Sequence, residues 1–176
     1  NQSNIWGSED INISLEKLNL GFELQNINSR MKLESQADNV SPRIIIRELE
    51  ADIFNGKASL LEESTISIRN FESKTALLIK DWEIEKILNL YPNKDISGTG
   101  KINGLLPIDF SAKSLSVNGG KLYSIKPGGT ISVKANENSI LDPRHNKNIA
   151  SMLRLLKNFQ YEDLKIDTNL NEKGDL

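Results

Sequence analysis

The chain has 176 residues, a formal net charge of −2 and 38% hydrophobic residues, and it contains no cysteine. Its length suits one domain with its own core, and its charge balance excludes the basic surface that nucleic-acid binding requires. The lack of cysteine excludes disulfides, thiolate catalysis and cysteine-based metal sites, and no run approaches the roughly 18 apolar residues of a membrane span.

Residues 1–81 alternate apolar and polar side chains with a period of two. This period puts alternate side chains on opposite faces of a strand, so we predict strands that are apolar on one face and wet on the other. Asn55-Gly56 favours a hairpin turn. The apolar positions of these rows are Ile11, Ile13, Leu15, Leu18, Leu20, Phe22, Leu24, Met31, Leu33, Ile44, Ile46, Ile66 and Ile68.

Two segments change to helical spacing. The first covers residues 82–91, with Asp81 as the expected cap and Pro92 beyond the end. The second covers residues 147–158 and is amphipathic. Residues 98–133, and the chain from residue 164 onward, return to the strand pattern. We therefore predict a mainly β fold with two short helices, describable as α+β, whose strands form an antiparallel meander.

Glycine and proline punctuate residues 98–131 at expected turns and bends. Pro107 stands inside a strand pattern, which indicates an edge position, a bulge or a strand start, because proline lacks the N–H of a ladder hydrogen bond. Asn118-Gly119 predicts a hairpin, and Pro127-Gly128 predicts a turn. The expected turn and bend residues are Gly98, Gly100, Gly104, Pro107, Gly119, Gly120, Pro127 and Gly128.

No constellation of residues predicts catalysis. His145, the one histidine, lies in a polar loop without a nucleophile motif, so we expect a surface histidine. Residues 98–101 contain glycines and a lysine but lack the spacing of phosphate-binding loops. The carboxylate pairs at residues 62–63 and 162–163 fall in predicted turns rather than across a cleft. We expect no enzyme, no metal site and no cofactor.

The C-terminal elements follow one another in a specific order. A helix precedes a Gly-x-Gly-x-x-x-Gly strand, matched by Gly98, Gly100 and Gly104, and a Leu-Pro-Ile step follows at residues 106–108. A glycine hairpin, a Pro-Gly turn and a helix at residues 152–161 complete the order. This order resembles the YdbH family of AsmA-like bacterial envelope proteins, which is similar to TamB and YhdP. The resemblance covers residues 82–170, and residues 1–81 fit it only as alternating strands.

The resemblance implies both a fold and a role. Family members form a long antiparallel sheet curled into an open trough with an apolar interior. They are anchored in the inner membrane and are implicated in carrying phospholipid across the periplasm toward the outer membrane. Residues 1–81 would supply strands of the trough, and residues 82–176 a strand–helix segment continuous with them.

The expected partners follow from the same resemblance. Phospholipid is the expected cargo, the membrane is reached through regions outside this chain, and an outer-membrane lipoprotein is the expected protein partner. Because the chain begins with Asn1 and its last residues read as a strand reaching a turn, we expect an excised piece of a larger protein.

The resemblance assigns a lipid-facing role to one apolar row. Burial in an ordinary core, against the second helix, is the competing interpretation of the same residues. Two other functions stay open: a docking module that pairs its sheet edges with an envelope partner, and a soluble binder of small acids. An older family label, dicarboxylate transport, suggests the latter, although no basic pair in the motif supports it. The row consists of Ile102, Leu106, Ile108, Phe110, Leu115, Val117, Leu122, Ile131 and Val133.

Overall fold

The structure, a computed structural model, describes residues 5–36, 42–90, 95–112, 114–133 and 159–170. Strands account for 72% of these residues, which confirms the mainly β prediction. The described part contains one helix, α1 (Ile84–Leu88), and not two. The second predicted helix, at residues 147–158, lies outside the described residues, as does His145. The helix that the resemblance implies at residues 152–161 is wrong for its last three residues, which form a strand (Phe159–Tyr161) that pairs with another strand.

Thirteen strands are described in the chain. They are β1 (Ile5–Gly7), β2 (Ile11–Asn19), β3 (Glu23–Gln36), β4 (Arg43–Ile53), β5 (Gly56–Leu60), β6 (Ser64–Ser67), β7 (Ser73–Glu83), β8 (Ile96–Gly98), β9 (Lys101–Phe110), β10 (Leu115–Ser124), β11 (Gly129–Val133), β12 (Phe159–Tyr161) and β13 (Lys165–Leu170). Six of them are longer than the five or six residues typical of globular proteins, and the longest, β3, has 14 residues.

Ten of these strands form one antiparallel sheet. Its order is β1-β3-β4-β5-β7-β9-β10-β13, with β2 also paired to β3 and β6 also paired to β4. The remaining strands, β8, β11 and β12, form a separate three-stranded sheet in the order β12-β11-β8. Because β7 runs through residue 81 and pairs with both β5 and β9, the large sheet is continuous from the first half of the chain into the second.

The predicted hairpin near Asn55 is confirmed, with its turn one residue earlier than expected. Phe54 and Asn55 are the two turn residues, with φ of 52° and 59°. Positive φ at both central positions is the type I′ geometry that matches the twist of the flanking strands. Gly56 then begins β5, where a Cβ would meet the backbone of Lys80 and Asp81.

A bulge in β7 brings two large apolar side chains to one face. Ile79 pairs with Gly104, but the next registered pair is Trp82 with Ile102, so two residues of β7 oppose one of β9. The extra residue changes the alternation, and Ile79 and Trp82 therefore share a face despite their odd spacing. Asp81 has φ of 59° at this bulge, and its N–H donates a hydrogen bond of 2.7 Å to Asn103 Oδ1.

The bulge also corrects the expected first helix. Asp81 is not its cap and Trp82 is not helical, because both belong to β7. The helix begins at Ile84 after Glu83, whose side chain makes no capping hydrogen bond. Burial of Trp82, 9% exposed, outweighs the helical spacing of its neighbours.

A second bulge, in β10, replaces the hairpin predicted at Asn118-Gly119. Val117 pairs with Ile108 and Lys121 pairs with Leu105, so three residues of β10 oppose two of β9. Gly119 has φ of 73° at this point, which bends the strand without ending it. The hairpin prediction is wrong, and β9 instead connects to β10 through residues 111–114.

Pro107 lies in an interior strand, opposite this bulge. It pairs with Ala76 of β7, while the ladder toward β10 is interrupted beside it. A residue without an N–H is tolerated where the ladder is already broken. Of the three expected placements, the structure therefore shows the bulge.

The buried core lies at one end of the large sheet, where α1 and the small sheet pack against it. Phe54 packs edge-on against Trp82, with ring centroids 5.0 Å apart, and Phe22 lies 5.9 Å from Phe54. The buried members of this cluster are Ile53, Ile79, Trp82, Ile84, Ile102, Leu122 and Tyr161.

Candidate functional site

The apolar face of the large sheet is divided into a packed end and an open end. At the packed end, Ile79 and Ile102 are each 1% exposed beneath the Trp82 cluster. Farther along the same strands, Leu77 pairs with Leu106 and Thr75 pairs with Ile108, and these side chains are only half-buried. The apolar side chains along β7 and β9 are thus buried in the core at one end of the sheet and accessible at the other.

The open end forms a groove with a volume of about 440 Å³. It draws side chains from β4, β5, β6, β7 and β9 and from the start of β10. None of the described residues that line it is charged. The rim residue Leu115 is 52% exposed, so the groove opens to solvent. The lining residues are Ile46, Leu49, Leu60, Ser64, Ile66, Ser73, Thr75, Leu77, Ile108, Phe110, Ser111, Ser114 and Leu115.

Five hydroxyl side chains line this groove: Ser111 and Ser114 lie between β9 and β10, and Ser64, Ser73 and Thr75 lie in the wall formed by the strands. Ser64 of β6 and Ser73 of β7 are 5% and 7% exposed, and their Oγ atoms lie 2.8 Å apart in a hydrogen bond. Thr75, two residues further along β7, has a buried Oγ1 with no hydrogen-bond partner among the described residues. The groove is therefore apolar with a small neutral polar site in its wall.

The structure brings together only part of the row assigned to lipid contact. The groove is lined by Ile108, Phe110 and Leu115. Val117 pairs with Ile108 across β9 and β10, so the two side chains lie on the same face. Leu106 is partly buried against the core cluster.

The other four residues of that row are placed elsewhere. Ile102 and Leu122 are buried in the core cluster. Ile131 and Val133 belong to β11 of the small sheet, where Val133 is 7% exposed. The strand pattern of these residues is the same as that of Ile108, so periodicity alone does not separate core from groove.

The groove residues of the first half of the chain were not singled out by the sequence. Ile46, Leu49, Leu60 and Ile66 come from β4, β5 and β6 and meet Ile108 across β7. Two of them, Ile46 and Ile66, belong to the alternating rows of residues 1–81. The signal that could have found them is this alternation, taken together with the antiparallel order of the strands.

Several of the expected turn and bend glycines make room for neighbouring groups. Gly98, at the end of β8, lies under α1, and a Cβ there would be 3.1 Å from Leu88 Cδ1. Gly100 and Gly128 have φ of 112° and 90° and border Tyr161, whose hydroxyl donates a 2.7 Å hydrogen bond to the Thr99 carbonyl. Burial raises the pKa of the Tyr161 phenol.

Gly104, Gly120 and Pro127 complete this set. Gly104 lies within β9, where a Cβ would meet the carbonyl of Lys121, and Gly120 lies at the β10 bulge against Leu106 and Val117. The turn before β11 is centred on Lys126 and Pro127, one residue earlier than predicted, and the Gly128 N–H donates a 3.0 Å hydrogen bond to the Ile125 carbonyl across it.

The opposite face of the large sheet carries cross-strand ion pairs. Arg43 donates a 2.9 Å hydrogen bond to Glu34, and Lys74 lies 3.4 Å from Asp109. The hydrogen bond from Arg43 lowers the pKa of the Glu34 carboxyl. These residues alternate in register with the apolar row, so the sheet is amphipathic, although Ile45, on the same face as Arg43, is buried at 8% exposure.

The described part of the chain contains no helix with the length and hydropathy needed to cross a membrane. The sequence profile of the YdbH-like family, described as intermembrane phospholipid transport protein YdbH, matches residues 2–176. This match includes the first 81 residues, in which no family motif was identified from the sequence. No curated protein and no solved structure matches the chain. Because this profile matches nearly the whole chain, the chain belongs to the YdbH-like family.

Proposed function

We propose that the chain is a segment of a bridge-like protein of the bacterial envelope, which carries phospholipid between the inner and outer membranes. The observation that carries this proposal is the open groove of about 440 Å³, whose described lining contains no charged side chain. The acyl chains of a lipid would lie in this groove while the headgroup stays in water.

The energetics of lipid movement favour such a lining. Exposing an acyl chain to water costs about 0.8 kcal/mol for each CH₂, so a path between membranes needs continuous apolar contact. Half-buried side chains such as Leu77 and Ile108 offer that contact without filling the groove themselves. Movement along the groove requires no catalyst, and we propose a role without an enzymatic step.

The larger setting belongs to the same proposal. The sheet would be a section of an open, curled trough in the periplasm, the parent protein would be anchored in the inner membrane, and an outer-membrane lipoprotein would be its partner. The family's description as a phospholipid transporter and the continuous amphipathic sheet support this setting.

Site-specific photo-crosslinking tests the proposal. With benzoylphenylalanine in place of Ile108, in the groove, illumination in the presence of phospholipid vesicles is expected to yield a covalent lipid adduct, detected by mass spectrometry. The same probe at Lys74, on the opposite face of neighbouring strand β7, is the matched control and is expected to yield none. Equal labelling at both positions, or labelling at Lys74 alone, would overturn the proposal.

A second candidate function rests on the exposed edge of the sheet. Ile11, Ile13 and Leu15 of β2 form an apolar row that is 44–46% exposed. An edge strand of this kind can pair with a strand of another protein. Such docking is compatible with lipid transport, since it would extend the same apolar face into a partner.

A further inference from the structure

Three of the five hydroxyls that line the groove belong to strands and stand among apolar side chains. Ser64 and Ser73 face each other across β6 and β7, and Thr75 follows on the same face of β7. The remaining strand residues that line the groove are Ile, Leu and Phe. A polar group in such a wall lowers the apolar contact available to an acyl chain, so its hydrogen-bonding capacity needs an account.

The hydroxyls of Ser64, Ser73 and Thr75 carry more donor protons than the hydrogen bond among them uses. Ser64 and Ser73 carry two hydroxyl protons, and the bond between their oxygens uses one of them. Thr75 Oγ1 has no hydrogen-bond partner in the described part of the chain. A buried hydroxyl without a partner is costly, so a ligand that supplies acceptors would be stabilised here.

The surroundings define which acceptor fits. A phosphate or a carboxylate would need a cation to offset its desolvation, and the described lining contains none. A neutral acceptor attached to a long apolar body needs only O–H donors and apolar walls. The carbonyl oxygens of fatty-acyl esters have this chemistry.

We propose that Thr75, with the Ser64–Ser73 pair, binds the ester carbonyls of the lipid and so defines where the glycerol backbone rests in the groove. This inference rests on the proposed function, because it presupposes that acyl chains enter the groove. It goes further by assigning recognition to the ester linkage and not to the headgroup.

A rotation of the Thr75 side chain makes the contact possible. Oγ1 is shielded from solvent, yet Thr75 itself lines the groove. Rotation about χ1 exchanges the hydroxyl and the methyl group between staggered positions, and no hydrogen bond has to break for this exchange. The site therefore becomes polar toward the groove when an acceptor arrives.

The test compares two lipids that differ only in the ester carbonyls. The 176-residue chain is loaded with a fluorescent diacyl phospholipid, which is then displaced by diacyl phosphatidylethanolamine or by its dialkyl ether analogue of equal chain length. Since one net hydrogen bond changes an equilibrium by roughly three- to tenfold, we expect the diacyl lipid to compete better by that factor.

Variants of Thr75 identify the donor. Thr75→Val keeps the shape of the side chain but removes the hydroxyl, and is expected to bring both lipids to the same affinity, whereas Thr75→Ser is expected to keep the preference. Thr65→Val, at an exposed position of β6 that does not line the groove, is the control and should also keep it.

The possible failures can be told apart. Equal displacement by both lipids from the unaltered chain, or a preference that survives in Thr75→Val, would overturn the ester site but leave lipid binding intact. A preference for phosphatidylglycerol over phosphatidylethanolamine with the same chains would also overturn it, since the headgroup would then be recognised. No displacement by any lipid would overturn the proposed function itself.

Discussion

Gly104 shows how closely two strands approach under the core cluster. A Cβ at this position would meet the Lys121 carbonyl and lie 2.8 Å from Leu122 Cα. Both neighbours are backbone atoms, so no rotation of a side chain can relieve the contact. Gly104 is therefore needed for the packing of β9 against β10, and not for a turn.

Gly104→Ala is accordingly expected to lower the free energy of unfolding by about 1–3 kcal/mol, as overpacked cores do. Urea unfolding followed by circular dichroism measures the change. Gly119→Asn is the control, since Gly119 has no neighbour within 4 Å of the Cβ position and asparagine tolerates its positive φ. An unchanged midpoint for Gly104→Ala would mean that β9 and β10 can separate without cost.

At the residue scale, the sequence predicts apolar rows well but not the positions where a β-bulge shifts the alternation by one residue. The alternation of residues such as Ile44, Ile46 and Ile108 identifies the strands to which they belong. Asp81 and Gly119 are the exceptions, because a bulge depends on the pairing with the neighbouring strand and leaves no periodic signal in its own. Local spacing consequently predicts a helix at Trp82, where the structure has strand β7.

At the scale of elements, Tyr161 of β12 contributes a buried contact between the small sheet and the core. The ring is 6% exposed, and the hydroxyl donates its hydrogen bond to the Thr99 carbonyl, between β8 and β9. Gly100, Gly128 and Gly129 leave the space that the ring and the backbone of β12 occupy. The Tyr161 side chain is thus one of the contacts that join the small sheet to the large one, together with Ile131 of β11, which packs against the same core cluster.

The Tyr161 phenol gives this attachment a pH dependence. Its pKa is raised in the folded state by burial, so its contribution is fully present below the ordinary tyrosine pKa, near 10, and is lost as the pH rises through the folded value. We expect the free energy of unfolding to fall above about pH 10. Spectroscopic titration of tyrosinate, combined with unfolding at each pH, measures both effects.

Tyr161→Phe is expected to cost about 1 kcal/mol at neutral pH, because the Thr99 carbonyl loses its donor, and to weaken the alkaline decline. Tyr123→Phe, at a side chain that is 51% exposed, serves as the control and should leave the decline in place. If the free energy of unfolding falls identically above about pH 10 in both variants, groups other than the Tyr161 phenol cause the fall.

Helices were the elements least accessible to sequence reasoning. The helical spacing extends over residues 82–91, but only the five residues of α1 are helical. The reason is that strand β7 continues through Glu83. Long-range pairing with β9 decided this boundary, and local periodicity carries no information about it. The type I′ hairpin at Phe54 and Asn55, in contrast, depends on local chemistry and was predicted within one residue.

At the scale of the whole molecule, the large sheet has an apolar edge strand in β2. Ile13, 46% exposed, stands in the middle of its apolar row. We expect concentration-dependent association of the chain through this edge, and Ile13→Lys to reduce it, because a lysine there disfavours edge pairing. Sedimentation velocity over a range of concentrations measures the association.

Asn12→Lys adds the same charge to the opposite face of β2 and is the matched control. Association that responds to Ile13→Lys more than to Asn12→Lys would assign it to the apolar row. A monomeric chain at every concentration would remove the sheet edge as a docking candidate.

The bulge in β7 also determines where this chain can change its length. Deletion of Asp81 would leave a single residue between Ile79 and Trp82. These two side chains would still share a face, and they would pair with Gly104 and Ile102 in regular register. Loss of Leu78 would instead make Leu77 and Ile79 neighbours and turn one of them toward the charged face. Single-residue deletions are therefore expected to be tolerated at the bulges and rejected between them, so related chains should differ in length at these joints.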